Sequence, residues 1–279
     1  MAATRSFCQV DVFTGKATLG NPVAVVLDGS GLSTEEMQAF TDWTNLSEAT
    51  FVLPPTSPEA DYRVRIFCPG RELPFAGHPT LGTCHAWLAA GGVPAGVDVI
   101  QECGVGLVRI RRSDAGALAF AAPPLARSGP LEEDELQRIV AGLSLNPSAV
   151  VDHQWCDNGP GWRGVLLRST DDLYSVVADP AVLAGMDVGL VAPSSRTDAQ
   201  FEVRAFFPGN QGITEDPVTG SLNAAIGQWL IGAGLAPDSY TALQGVALGR
   251  HGIVSIDKDG DDVWVGGRCV SVIEGTVAL

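Results

Sequence analysis

Two short segments of the chain carry the residue types that acid/base chemistry on an anion requires. Pro74-Phe-Ala-Gly-His-Pro-Thr-Leu-Gly82 closes a polar loop and opens an apolar run expected to be helical from Thr80 to Ala90. Gly77 permits a tight turn and Pro79 suits the first turn of a helix. The N–H groups of that turn have no partner inside the helix and point outward, where an anion can take them. Thr214-Glu-Asp-Pro-Val-Thr-Gly-Ser221 repeats the device, with Pro217 and Gly220 ahead of an apolar run expected to be helical from Ser221 to Ala233. Taken singly, either segment reads more readily as ordinary helix capping, and it is their duplication that favours a functional reading. A nucleotide loop is a poor fit to both, because the phosphate-binding Lys is missing, and Gly104-Val-Gly106 precedes a strand-like run and not a helix. Cys103, in β-type sequence, reads as a buried structural thiol. His78 and His85 lie seven apart on one expected helix, but no third ligand accompanies them, so no metal site is expected. His153 and His251 have no recognisable context.

The elements that must position these segments are duplicated. Tyr62 to Gly70 (YRVRIFCPG) overlies Phe201 to Gly209 (FEVRAFFPG), sharing V-R-x-F-x-P-G at an offset of 203 − 64 = 139 residues, half the chain. A Gly-containing turn and an apolar helix follow each copy. A fainter match sets Gly106-Leu-Val-Arg-Ile110 over Gly252-Ile-Val-Ser-Ile256. One repeat at half-length implies two similar lobes with a ligand cleft between them. Val10 to Phe13, Pro22 to Leu27, Ala49 to Leu53, Tyr62 to Phe67 and Gly106 to Arg111 have the β-branched or alternating character of strands, expected to pair mainly antiparallel. Ser33-Thr-Glu-Glu36 is a capping box for a helix running to Asn45. Pro123-Pro124 through Pro130 breaks ladders and helices alike, and a helix over Glu132 to Leu143 opens the second lobe. The lobes are therefore expected at 1–122 and 125–269, with a C-terminal strand at about 270–279 packing with the first lobe.

The 279 residues are 46% hydrophobic, enough for a sizeable core. With 17 Lys plus Arg against 32 Asp plus Glu, the net charge of −15 repels nucleic acid and anionic membrane surfaces. A carboxylate ligand would be repelled at long range as well, and has to be captured locally by helix N-termini. Six widely spaced cysteines read as reduced thiols. No run approaches the ~20 apolar residues of a membrane span, and no leader pattern is recognised, so a cytoplasmic protein is expected.

Val10-Asp-Val-Phe13, Gly20-Asn-Pro-Val-Ala24, Asn45-Leu-Ser-Glu-Ala-Thr-Phe51, Gly77-His-Pro-Thr80, Glu215-Asp-Pro-Val-Thr-Gly-Ser221 and the tail Gly266-Gly267 occur in order along essentially the whole chain. In these motifs the sequence resembles the PhzF-like isomerases of phenazine biosynthesis. The resemblance implies an α+β fold of two pseudo-symmetric, diaminopimelate epimerase-like lobes, each a mainly antiparallel twisted sheet around a central helix. In the epimerases a Cys before the Gly of each turn supplies a two-thiol acid and base pair. Ala76 and Pro217 hold those places here, so racemisation by two thiols is not expected.

The resemblance makes Glu48 the proton carrier. Between a helix and an apolar strand it should be partly buried, and a carboxylate removed from water titrates nearer neutrality, where it can both take and return a proton. On local sequence alone Glu48 also reads as a helix-ending residue or a partner for an Arg. By the same transfer His78 and Asp216 become hydrogen-bond partners in the active site, while Ser221 and the N–H groups near Gly77 and Gly220 hold the substrate carboxylate. The resemblance implies a cofactor-independent proton shift on a small carboxylate in a biosynthetic process, and a homodimer. Two alternatives stand beside it: an epimerase or racemase in which Asp216 is the second acid/base, and a non-catalytic protein that binds a small ligand or a partner.

Overall fold

The computed structural model describes residues 3–113, 115–209 and 212–279. The chain divides into two compact units, one of residues up to Ala121 together with Gly266–Leu279, the other of Ala122–Val265. The first unit runs β1 (Thr4–Val12), β2 (Asn21–Val26), α1 (Thr34–Thr44), β3 (Ala49–Leu53), β4 (Tyr62–Cys68), β5 (Arg71–Leu73), α2 (Gly77–Ala89), β6 (Val99–Cys103), β7 (Gly106–Arg112) and β8 (Leu118–Ala121). The second runs α3 (Glu133–Gly142), β9 (Val150–Cys156), β10 (Trp162–Leu167), α4 (Thr170–Tyr174), β11 (Asp187–Pro193), β12 (Phe201–Gly209), β13 (Gly212–Asp216), α5 (Gly220–Gly232), β14 (Ser239–Gln244), β15 (Gly252–Asp259) and β16 (Asp262–Gly267). The last two residues of β16, Gly266 and Gly267, already belong to the first unit, where β17 (Cys269–Ala278) pairs antiparallel with β1. That pairing extends β1 back to Thr4, well before the Val10 start expected from sequence, because the added residues alternate with polar ones and carry no apolar run.

Strand pairing is mainly antiparallel, and each unit has parallel ladders at matching places. These are β2–β3 and β4–β6 in the first, and β10–β11 and β12–β14 in the second. Parallel neighbours need a crossover, and the helices supply it: α1 and α4 link the first pair of each unit, α2 and α5 the second. This is the α+β, diaminopimelate epimerase-like architecture. Helices α2 and α5 are apolar on almost every side and buried at nearly every position, as core helices must be. Strands β1, β2, β3, β6, β8 and β17 surround α2. Its approach to β2 is very close, since a Cβ on Gly82 would lie 2.3 Å from Val23 Cγ1. Peripheral α1 owes its start to the Ser33–Glu36 capping box, stops at left-handed Asn45, and buries Met37 and Phe40 against Phe51 and Phe67.

The duplicated V-R-x-F-x-P-G segments form the same hairpin. Phe67 stands opposite Glu72 as Phe206 stands opposite Glu215. Arg65 clamps Glu72 through Nε and Nη2 at 2.7 and 2.6 Å and lies 5.0 Å over the Phe67 ring, while Arg204 clamps Glu215 at 2.9 and 2.8 Å and lies 4.9 Å over Phe206. The two copies differ in burial. Side-chain exposure is 26% and 40% for the first pair but 10% and 12% for the second. Breaking a buried pair strands its partner, so Arg204→Met is expected to cost ~3–5 kcal/mol. The exposed Arg65→Met is expected to cost at most ~1 kcal/mol. Urea unfolding of the two variants measures the difference, and equal losses would contradict it.

Candidate active site

In the first unit the chain leaves α1 through left-handed Asn45 and enters β3, and Glu48 lies in this short link. Its backbone carbonyl accepts from Ala24 N at 3.4 Å, tying the link to β2. Its side chain is 17% exposed and faces that of His78, which is 5% exposed, with Glu48 Oε2 3.4 Å from His78 Nε2. His78 is the second residue of α2, directly after Gly77. Its ring hydrogen-bonds the backbone of Pro22, which has only a carbonyl to offer, so the ring donates. Among the described residues Nε2 makes no hydrogen bond that meets strict geometry. The donor is therefore Nδ1, and Nε2 turns its lone pair toward Glu48. Burial pushes the His78 pKa down to about 3, the Pro22 carbonyl opposing it only in part, so the ring is neutral at neutral pH. A lone pair beside a carboxyl oxygen is a favourable contact when the carboxyl carries a proton. Glu48 Oε2 and His78 Nε2 thus face each other inside the first unit, 3.4 Å apart.

In the second unit Asp216 ends β13 and Thr219 precedes α5. Thr219 Oγ1 donates to Asp216 Oδ2 at 2.6 Å. Ser221 Oγ accepts from Trp162 Nε1 at 3.0 Å, and the Ser221 carbonyl accepts from Asn158 Nδ2 at 2.8 Å. Accepting from the indole leaves the Ser221 hydroxyl its own proton to donate. Among the described residues neither α2 nor α5 has a side-chain cap at its N-terminus, whereas α1 and α4 are capped by Ser33 and Ser169. Ala76 has no group to offer α2, and Thr219 has spent its hydroxyl on Asp216. The first-turn N–H groups of α2 and α5 are thus not capped by a side chain, a property that α3 at Glu132 shares.

A family model described as phenazine biosynthesis-like protein matches residues 10–275. The chain belongs to the PhzC-PhzF family. It is 36% identical over 290 residues to antisense-enhancing sequence 1 of Schizosaccharomyces pombe, with 97% of each chain covered. It is 32% identical over 250 residues to the trans-2,3-dihydro-3-hydroxyanthranilate isomerase of Pseudomonas aeruginosa, covering 88% of this chain and 87% of that one. A crystal structure of the PhzF-family phenazine biosynthesis protein of Bacillus anthracis matches the fold with a TM-score of 0.84 at 23% identity, covering 99% of this chain and 100% of that one. The family is one of isomerases, and this PhzF-family chain is an enzyme of that class.

Within the PhzF frame, Gly77, Glu48 and His78 stand together in the first unit, and Asp216, Gly220 and Ser221 in the second. One expectation needs correction. The position matching Ala76 at the helix start is Thr219, the residue before α5, and not Pro217. Neither is Cys. All six cysteines are free thiols, and burial pushes Cys84 and Cys156 up to about 12, far from nucleophilic use. Cys103 is only partly buried, with its pKa also raised by burial. The remaining histidines have structural partners. His85 meets Ser271 Oγ at 3.1 Å, His153 Nδ1 accepts from Leu131 N at 3.1 Å, and His251 Nε2 is 3.0 Å from Asp198 Oδ2. Among the described residues no cluster of His, Cys, Asp or Glu is placed to hold a metal, and no helix is long and apolar enough to cross a membrane. Sequence reading missed the Pro22 carbonyl behind His78 and the Trp162 and Asn158 contacts to Ser221. The first falls inside the Gly20-Asn-Pro-Val-Ala24 motif, which was signal enough to single it out. Trp162 and Asn158 had no motif to mark them.

Proposed function

We propose that this PhzF-family isomerase moves a proton between two carbons of a small carboxylate, with Glu48 as the carrier and no cofactor. The buried Glu48–His78 contact carries the reading. When the Glu48 carboxylate takes a proton from an activated C–H, it becomes the acid whose O–H the His78 Nε2 lone pair can accept, so abstraction converts a poor contact into a good one. Glu48 then returns the proton to a second carbon, and the neutral His78 takes no net proton from the cycle. The first-turn N–H groups at Gly220, with the Ser221 hydroxyl, hold the substrate carboxylate. Asp216 accepts from an amino or hydroxyl group on the substrate. Negative charge developing in the substrate's π-system is stabilised by fixed donors already in place.

The relative named trans-2,3-dihydro-3-hydroxyanthranilate isomerase supplies the first compound to try: a carboxylate carrying an amino group, a hydroxyl and ring double bonds. Incubated with that compound in deuterated water, the enzyme is expected to give a product with a migrated double bond and deuterium at the carbon that received the proton, read by NMR. Deuterium returned to the original carbon with inversion would replace this reading with epimerisation. No exchange alongside demonstrable binding would remove the proton-transfer reading for this substrate class.

A further inference from the structure

Each unit uses one buried Gln, from the strand that follows its core helix, to hold the fourth residue of that helix. Gln101 Nε2 donates to Thr80 Oγ1 at 3.0 Å and its Oε1 accepts from Tyr62 OH at 3.0 Å, whereas Gln244 Oε1 accepts from Asn223 Nδ2 at 2.8 Å. The two glutamines are not in the same register. Gln101 lies opposite Tyr62 in its parallel ladder, and Gln244 lies opposite Val203, the repeat partner of Val64. Gln244 is thus two residues further along its strand, on the same face and about 7 Å nearer the strand's C-terminal end.

That shift brings within its reach the Thr219 hydroxyl, which has no counterpart in the first unit. Gln244 Oε1 also accepts from Thr219 N at 3.0 Å, and its Nε2 donates to Thr219 Oγ1 at 3.0 Å and to the Asp216 carbonyl at 3.1 Å. With its lone pair occupied by the amide, the Thr219 hydroxyl directs its own proton to Asp216 Oδ2 at 2.6 Å. Gln244 and Asn223 are each 1% exposed and Thr219 5%, so water does not compete along the chain. In the first unit Leu73 ends the hairpin where Asp216 does in the second, and Ala76 precedes the helix where Thr219 does.

We infer that Thr219 and Gln244 are positioning residues for Asp216, Gln244 fixing the Thr219 hydroxyl and Thr219 fixing Asp216 Oδ2 so that the carboxylate is held in a single orientation. This rests on the assignment of Asp216 to substrate made above. Thr219→Val is the discriminating variant, because it removes the hydroxyl while leaving the Thr219 N–H and Asn223 bonds of Gln244 in place, so the helix lock survives. Thr219→Ser restores the donor. In the full chain labelled at Asp, the couplings that report the Asp216 side-chain torsion are expected to show one rotamer in wild type, averaging in Thr219→Val and one rotamer again in Thr219→Ser. With trans-2,3-dihydro-3-hydroxyanthranilate as probe, kcat of Thr219→Val is expected to fall ~10–100-fold and that of Thr219→Ser to recover, as for any misplaced catalytic contact. An unchanged Asp216 torsion in Thr219→Val would overturn the inference, as would full activity of that variant beside an inactive Asp216→Asn. Full activity of Asp216→Asn itself would sink the role given to Asp216, and the inference with it.

Discussion

Glu48→Gln is expected to lower kcat/KM and solvent deuterium incorporation by ~10²–10⁴-fold, the usual worth of a general acid/base. The substitution separates chemistry from architecture. Gln has the same length and volume, and its amide N–H can still be offered to the His78 Nε2 lone pair that Glu48 Oε2 faces at 3.4 Å. The variant should fold and bind substrate like wild type, with little change in KM. What it lacks is an oxygen able to take a proton from carbon and give it back. Single-turnover exchange followed by mass spectrometry distinguishes the cases. A variant that incorporates deuterium at the wild-type rate removes Glu48 from the mechanism, and a variant that no longer binds shows that its role is structural.

His78→Gln is expected to lower turnover on the order of 100-fold, since the acid form of Glu48 loses the basic imidazole lone pair and is left at best with an amide oxygen, a much weaker base. It should also change how stability responds to acid, and the direction follows from the His78 pKa of about 3 against an ordinary 6.5. Between these values the unfolded chain binds a proton that the folded chain refuses. The neutral ring therefore contributes its full stability above about pH 6.5, and this is lost as pH falls toward 3, at a slope of at most roughly 1.4 kcal/mol per pH unit for one proton. Urea midpoints of wild type and His78→Gln, compared at pH 7, 5 and 4, should converge as pH falls. Parallel curves would mean that the buried ring does not control this limb.

Local turn chemistry made much of this legible in sequence. Gly77, Pro79 and Gly220 mark where α2 and α5 begin, Ser33 and Glu36 mark α1, and the V-R-x-F-x-P-G repeat marks a duplicated segment that the structure shows as two matching hairpins, their Arg clamps unforeseen. The short helix α4 left no trace, having one turn and only Leu173 buried. The groups behind the reactive ones were out of reach for a different reason. Pro22 is 56 residues from His78 in the chain, Trp162 lies 59 residues from Ser221, and Gln244 lies 25 from Thr219. Each contact exists only because a strand register brings it about, and a slip of two residues would keep every side chain on its face while breaking the bond. Motif spacing records where a turn is, but not which residue of a distant strand stands behind it.

The missing side chain at Gly82 acts as a spacer of atomic length. Gly82 is one helical turn beyond His78, and the atom it lacks would sit 2.3 Å from Val23 Cγ1, on the residue next to the Pro22 carbonyl that orients the imidazole. A methyl group there requires Val23 or α2 itself to shift, beside the Nδ1–H bond to Pro22. The bond that sets the His78 tautomer thus lies beside a contact that only an absent carbon atom permits, one turn further along the helix.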